Sequence, residues 1–225
     1  WRWFSSWRSN FLMCSIIVSP DAEKFLELVE LNQRRGKFSH SYSSLSVENS
    51  SRIISPINIK RQWGSFDTSL VDKQGTLHVG HVQAPTGGLV EDPSRIHPAE
   101  YEQTSYLFHN GILKNEYVKQ LQDQYKTDEQ WDTKLLLMRL VHIGFDALSE
   151  VDGSFACVFI HKSKMYVFRN DIAPLFYDEK GNISSVKFPG SEPLVSNTIY
   201  RYSLGPSSLL STGIFFTTKN NPYQF

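Results

Sequence analysis

The order of the apolar patterns along the chain constrains the fold most. A short buried strand, "CSIIVS" from Cys14, leads into one helix. Several strands follow, then two helices, then strands again. Strict strand–helix alternation would call for a parallel, doubly wound sheet. Strands and helices arriving in blocks instead predict an α+β layered sandwich, with helices segregated on the outer faces of antiparallel sheets.

The individual segments read as follows. In "SPDAEKFLELVELNQRRG", Ser19 is expected to cap, Pro20 suits the first helical position, and Asp21 and Glu23 suit the positive helix end. Phe25, Leu26, Leu28 and Val29 form its apolar stripe, and Gly36 is expected to stop it. Residues 40–56 are rich in Ser and Asn and read as loop plus edge strand. "INIKRQWGSF" and "TLHVGHV" alternate as half-buried strands do, and "QAPTGGLVEDPSRIHPAE" reads as loop. "SYLFHNGIL" reads as a strand running into a turn, and "KNEYVKQLQDQY" as a short helix. "TDEQ" is a candidate capping box for the helix "WDTKLLLMRLVHIGFDALS". The remaining strands are "GSFACVFIH", "KMYVFRN", "LFYDEKGNISSVKF", turning at Lys180-Gly181-Asn182, and "TIYRYSL".

Composition narrows the function classes. With 23 basic and 23 acidic residues, no overall field favours nucleic acid or an anionic membrane. No apolar run approaches the roughly 18 residues of a membrane span. Two cysteines, Cys14 and Cys157, give no disulfide framework, so a reducing, cytoplasmic setting is the expectation. Residues 1–13 hold three of the five tryptophans and read as an upstream, added or pro-segment. Residues 14–225 read as one domain.

Three stretches carry candidate chemistry. The first is His109-Asn110-Gly111. Its plain reading is a type I′ turn; its chemical reading is an Asn110 amide and a Gly111 N–H aimed at one oxygen, an oxyanion hole. The second is "GHVQAPTGG". His78 and His81 stand three apart in a strand, on opposite faces, which argues against a shared metal. The third is Asp132, near the start of an apolar helix. It is either a carboxylate favoured by the helix dipole or a binder of a substrate ammonium. Cys157 alternates within an apolar run and reads as an inert core thiol. No phosphate-binding loop, cofactor motif or metal-ligand pattern is recognised.

Met13-Cys14 and these stretches follow one another in an order that resembles the class II glutamine amidotransferase domain, the N-terminal-nucleophile glutaminase of asparagine synthetase and its relatives. The likeness rests on "MCSI", "NQRRG", "GHVQAPTGG", "FHNGILKN", "WDTKLLL", "VDGSFA" and "FRNDIAPLFY", and it spans residues 14–225. It implies a four-layer αββα sandwich. It also implies Cys14 as nucleophile, with its own α-amine as base, and Asn110 and Gly111 as oxyanion hole. Asp132, Gln83, His81 and Thr86 would be the substrate-binding residues, with no metal and no cofactor.

The implied reaction attacks the side-chain amide of glutamine, forms a γ-glutamyl thioester and releases ammonia. The ammonia would serve a separate synthetase on another polypeptide, since nothing in the chain resembles one. Gln83 stands where the family carries an Arg that clamps the substrate α-carboxylate. Arg95 is the nearest candidate to compensate. Hydrolysis of another γ-glutamyl compound, or a catalytically degenerate interaction protein, remain alternatives.

Overall fold

The computed structural model describes residues 14–53, 57–84, 92–205 and 208–218. In chain order, the first half contains β1 (Ser15–Ser19), α1 (Ala22–Asn32), β2 (Ser39–Leu45), β3 (Val47–Glu48) and β4 (Arg52–Ile53). It continues with β5 (Lys60–Trp63), β6 (Leu77–Gln83), β7 (Ala99–Tyr101) and β8 (Ser105–Leu113). The helices α2 (Asn115–Tyr125) and α3 (Asp132–Ile143) come next, then β9 (Gly153–His161), β10 (Lys164–Arg169) and β11 (Phe176–Tyr177). The chain continues through β12 (Ile183–Ser184), β13 (Glu192–Pro193), β14 (Thr198–Tyr202) and β15 (Leu209–Phe215).

Two antiparallel sheets carry the fold. One has the order β13-β11-β12-β1-β6-β2-β5, with β1 at its centre; the other is β15-β14-β10-β9-β8-β7. They pack face to face through Ile16, Val18 and Val79 on one side and Tyr106, Phe108, Ala156 and Val158 on the other. Helix α1 covers the outer face of the first sheet, with Phe25, Leu28 and Val29 against Ile17, Tyr42 and Val82. Helices α2 and α3 cover the second, with Leu121, Leu135 and Leu136 against Leu107, Phe155, Cys157 and Phe168. The layers are therefore αββα. Cys157 is fully buried in the second helix–sheet core. Among the described residues, no helix is long and apolar enough to cross a membrane.

The strand period of two decides which side chains face the inter-sheet layer. Residues 14, 16 and 18 share one face of the first strand. On β6, Val79 puts His81 and Gln83 on the same inner face, while Gly80 meets the Phe25 ring of α1. His78, on the outer face, bonds Tyr42 Oη at 2.8 Å. The two histidines do face opposite ways.

Five local expectations are corrected. Residues 39–45 form β2, an interior strand between β6 and β5, and not a loop with an edge strand. Serine is small, and its hydroxyl bonds locally, as when Ser43 Oγ donates to the Asn58 carbonyl, so a Ser-rich segment is no barrier to a buried strand. Asp21, not Ser19, caps α1, accepting from Lys24 N at 2.7 Å, while Ser19 Oγ accepts from Asp21 N. The capping box before α3 does not form: Thr127 Oγ1 accepts from Glu129 N, Glu129 Oε1 accepts from Trp131 N, and the helix begins at Asp132. That helix stops at Ile143, because Gly144 takes φ +82°, and a 3₁₀ segment continues to Glu150. Finally, Asn110-Gly111 is no turn. β8 runs on past it, pairing with β9 as far as Leu113↔Gly153. Glycine is required at 111 by packing, since a Cβ there would fall on the Ser154 carbonyl.

Candidate active site

Cys14 lies one residue before the central strand β1, only 8% exposed, at the rim of the inter-sheet layer. It lines a cavity of about 320 Å³ together with Gln83, Arg95, His97, Gly111, Trp131, Asp132 and Thr133. Residues far apart in sequence meet here because β1 and β6 sit in one sheet and β8 in the other, while α3 starts beside the end of β8.

Backbone geometry aims β8 at this cavity. In an antiparallel pair, alternate residues turn their N–H groups away from the partner strand. On β8 the His109 N–H faces the His97 ring and the Leu113 N–H donates to Asp132 Oδ2 at 3.1 Å. Two-residue alternation places the Gly111 N–H on that same edge, between them. β7 pairs with β8 only as far as Leu107, so the edge beyond it is open. The Asn110 side chain projects into the inter-sheet layer, the layer that residues 14, 16 and 18 also face. There its Nδ2 donates to Ser185 Oγ at 3.3 Å, and its Oδ1 has no partner among the described residues.

Ser185 ties this corner together. Its Oγ accepts from Ile16 N at 3.0 Å, its N–H donates to the Ile16 carbonyl, and its carbonyl accepts from Arg35 Nη1 at 3.2 Å. It fixes Asn110 relative to the strand that carries Cys14. Nothing in "NISSVKF" marks this serine; only the folded contacts do.

Burial dominates the electrostatics. It raises the Cys14 thiol pKa from 9.0 to about 11, opposed by a backbone hydrogen bond from Ala84; Asp132 raises it further and the Arg35 guanidinium lowers it. Burial also depresses the Arg35 pKa, and Cys14 counters that. His81 is driven down to about 3 and His97 well below its ordinary value, chiefly by burial, so both imidazoles are neutral.

The sequence-predicted residues divide as follows. Cys14, Gly111, Asp132 and Gln83 share the cavity, and Asn110 adjoins it through Ser185. Gln83 Oε1 accepts from Ser39 Oγ at 3.2 Å, leaving its amide N–H groups as donors. Arg95 also reaches the cavity wall, 3.6 Å from Glu129. His81, expected at the substrate, is fully buried, and its Nε2 bonds the His109 carbonyl at 3.1 Å. Thr86 and Met13 lie outside the described residues. His97, stacked on His81 at 3.9 Å between ring centroids, was missed because "SRIHPAE" reads as plain loop.

Residues 91–193, which include His109-Asn110-Gly111 and Asp132, match the profile of a family described as "glutamine amidotransferase domain". The fold is similar to that of glutamine phosphoribosylpyrophosphate amidotransferase from B. subtilis, complexed with ADP and GMP. The TM-score is 0.66 at 17% identity, over 92% of this chain. Residues 91–193 thus resemble a glutamine amidotransferase domain, and the described fold is that of a solved glutamine amidotransferase. A structure described as the allosteric regulatory enzyme of purine biosynthesis matches this chain equally well, with TM-score 0.66 and 18% identity over 92% of the chain. The chain spans about half the length of these solved structures, 50% of each. No curated protein matches the sequence.

Proposed function

We propose that this amidotransferase domain hydrolyses the side-chain amide of glutamine and releases ammonia, with Cys14 as nucleophile. The single observation that supports it most is the convergence on one cavity of a thiol at a strand end, an outward-facing backbone N–H at Gly111 and a carboxylate at Asp132. In this reading the α-amine of a terminal Cys14 takes the thiol proton; such amines titrate near 7.7–8.0 and work as bases close to neutral pH. The thiolate adds to the amide carbon. The oxyanion is received by Asn110 Nδ2 and the Gly111 N–H, ammonia departs with the transferred proton, and water cleaves the γ-glutamyl thioester to glutamate. The ammonia acceptor, a synthetase site, lies outside the described residues.

Asp132 would hold the substrate α-ammonium and Arg95 the α-carboxylate, in place of the arginine that Gln83 replaces. A charge-assisted hydrogen bond contributes about 1.5–3 kcal/mol against about 1 for a neutral one, so Arg95 outweighs Gln83 in this role. Arg95→Gln is expected to raise KM for glutamine by roughly 10-fold with kcat little changed, because the contact is the same in ground and transition states. Steady-state ammonia release checks this. An unchanged KM would remove Arg95 from the site.

Asn110→Ala is expected to lower kcat by about 10²–10³-fold, the usual loss for one oxyanion donor. Ser185 is a positioning residue: Ser185→Ala should lower kcat several-fold with KM retained, and Ser185→Thr should restore it. The loss should shrink in an Asn110→Ala background, which a purely structural role for Ser185 would not produce.

The deciding assay compares ammonia release from glutamine with release of the amine from other γ-glutamyl amides. Preference for glutamine supports the lead reading. Preference for another γ-glutamyl compound would favour the second reading, a γ-glutamyl hydrolase, which the exchange of Arg for Gln83 motivates.

A further inference from the structure

We propose that Cys14, His81 and His97 form a binding site for a thiophilic divalent cation, zinc by its chemistry, which reversibly closes the amidotransferase cavity by capturing the thiol. The Cys14 sulfur and one ring nitrogen from each histidine lie within 4.8 Å of one another, and all three residues are buried. The set is one thiolate and two imidazoles, a donor combination that suits zinc and that hard cations such as Mg²⁺ do not favour.

The hydrogen bonds prepare the ligands. His81 donates Nε2–H to the His109 carbonyl, which fixes its tautomer and leaves the Nδ1 lone pair as acceptor. That Nδ1 is fully buried and has no partner among the described residues. An unpaired buried acceptor is costly, and a metal ion would satisfy it. An imidazole held through its other nitrogen by a backbone carbonyl is the usual outer support of a ligating histidine. The His97 ring also faces a backbone carbonyl, that of Leu107, and its Nδ1 accepts from His109 N at 3.4 Å, a contact that ligation through Nδ1 would replace.

A tetrahedral zinc with bonds of about 2.0–2.3 Å needs its ligand atoms roughly 3.3–3.6 Å apart. The three atoms, within 4.8 Å of one another, must therefore close by up to roughly 1.2–1.5 Å, and the stacked imidazoles must tilt apart. His97 can supply that movement, because it stands on the cavity wall with Cys14 while His81 is held behind them. On binding, the Cys14 thiol gives its proton to solvent and its sulfur bonds the metal. The site then has a net charge of +1, with the fourth position open to the cavity for water. The sulfur is no longer free to attack a carbonyl.

The closing role rests on Cys14 being the nucleophile; the binding itself does not. The test uses the full chain. Zinc is expected to bind one per chain in equilibrium dialysis, and Co²⁺ should give a thiolate-to-metal charge-transfer band. Cys14→Ser, nearly isosteric, should abolish that band. Cys14→Ser and His97→Asn should each weaken zinc binding by at least the roughly 10–100-fold that an outer-shell partner is worth. Cys157→Ser should leave binding unchanged. In the unmutated chain, zinc should protect Cys14 from alkylation, read by peptide mass, which requires no variant to fold. A charge-transfer band that survives Cys14→Ser, or alkylation of Cys14 unaffected by zinc, would overturn the site. A zinc-bound chain that still hydrolyses glutamine at full rate would overturn the closing role. Zinc binding by a chain with no glutaminase activity in any form would leave the site standing and count instead against the function proposed above.

Discussion

Cys14→Ala, made in a form that begins at Cys14, is expected to lower ammonia release from glutamine by on the order of 10⁶-fold, the scale seen when a nucleophile is removed from a covalent catalyst. The physical reason is that the described site offers no second route. Cys157 is fully buried in the helix–sheet core, away from the cavity, and burial pushes its thiol pKa well up. His81 and His97 are neutral, but they adjoin the same thiol that the substitution removes. A glutamine-like electrophile should accordingly label Cys14 and spare Cys157, as peptide mapping would show. Equal ammonia release by the two forms would end the enzyme reading.

The second large effect concerns the bond between Met13 and Cys14. With that bond intact, the Cys14 nitrogen is an amide and cannot accept a proton. Burial holds the thiol at about 11, so very little thiolate forms unaided near neutral pH. Cutting after Met13 would supply a base next to the sulfur. The form beginning at Cys14 should therefore be faster than the chain as written by about 10²–10⁴-fold, the usual contribution of a positioned general base. Rates of the two forms, with intact mass confirming each start, decide the matter. Equal rates would show that the α-amine is not the base.

Much of the fold was legible because strand and helix periods are local properties. The block order of elements called for segregated layers, and αββα is what forms. Period two along "TLHVGHV" separated His78 from His81, as the structure has it. Local rules failed where contacts at long range outweighed propensity. Polar β2 is an interior strand because small serines fit there. Asn110-Gly111, a strong turn signal, stays in a strand because the Ser154 carbonyl leaves room only for glycine.

The candidate site divides along the same line. The sequence by itself determined the chemistry available: a thiol after Met13, an Asn-Gly pair, a carboxylate at a helix start and a Gln where a cation was wanted. Residue types and short spacings carry that information. Only the tertiary structure decided which groups meet. It brought Arg95 to the cavity, moved His81 behind its wall, stacked His97 upon it, and joined Asn110 to β1 through Ser185, which lies 75 residues further along the chain than Asn110. Such contacts depend on how two sheets face one another, and that is fixed by the packing of the whole core and by no local stretch of sequence.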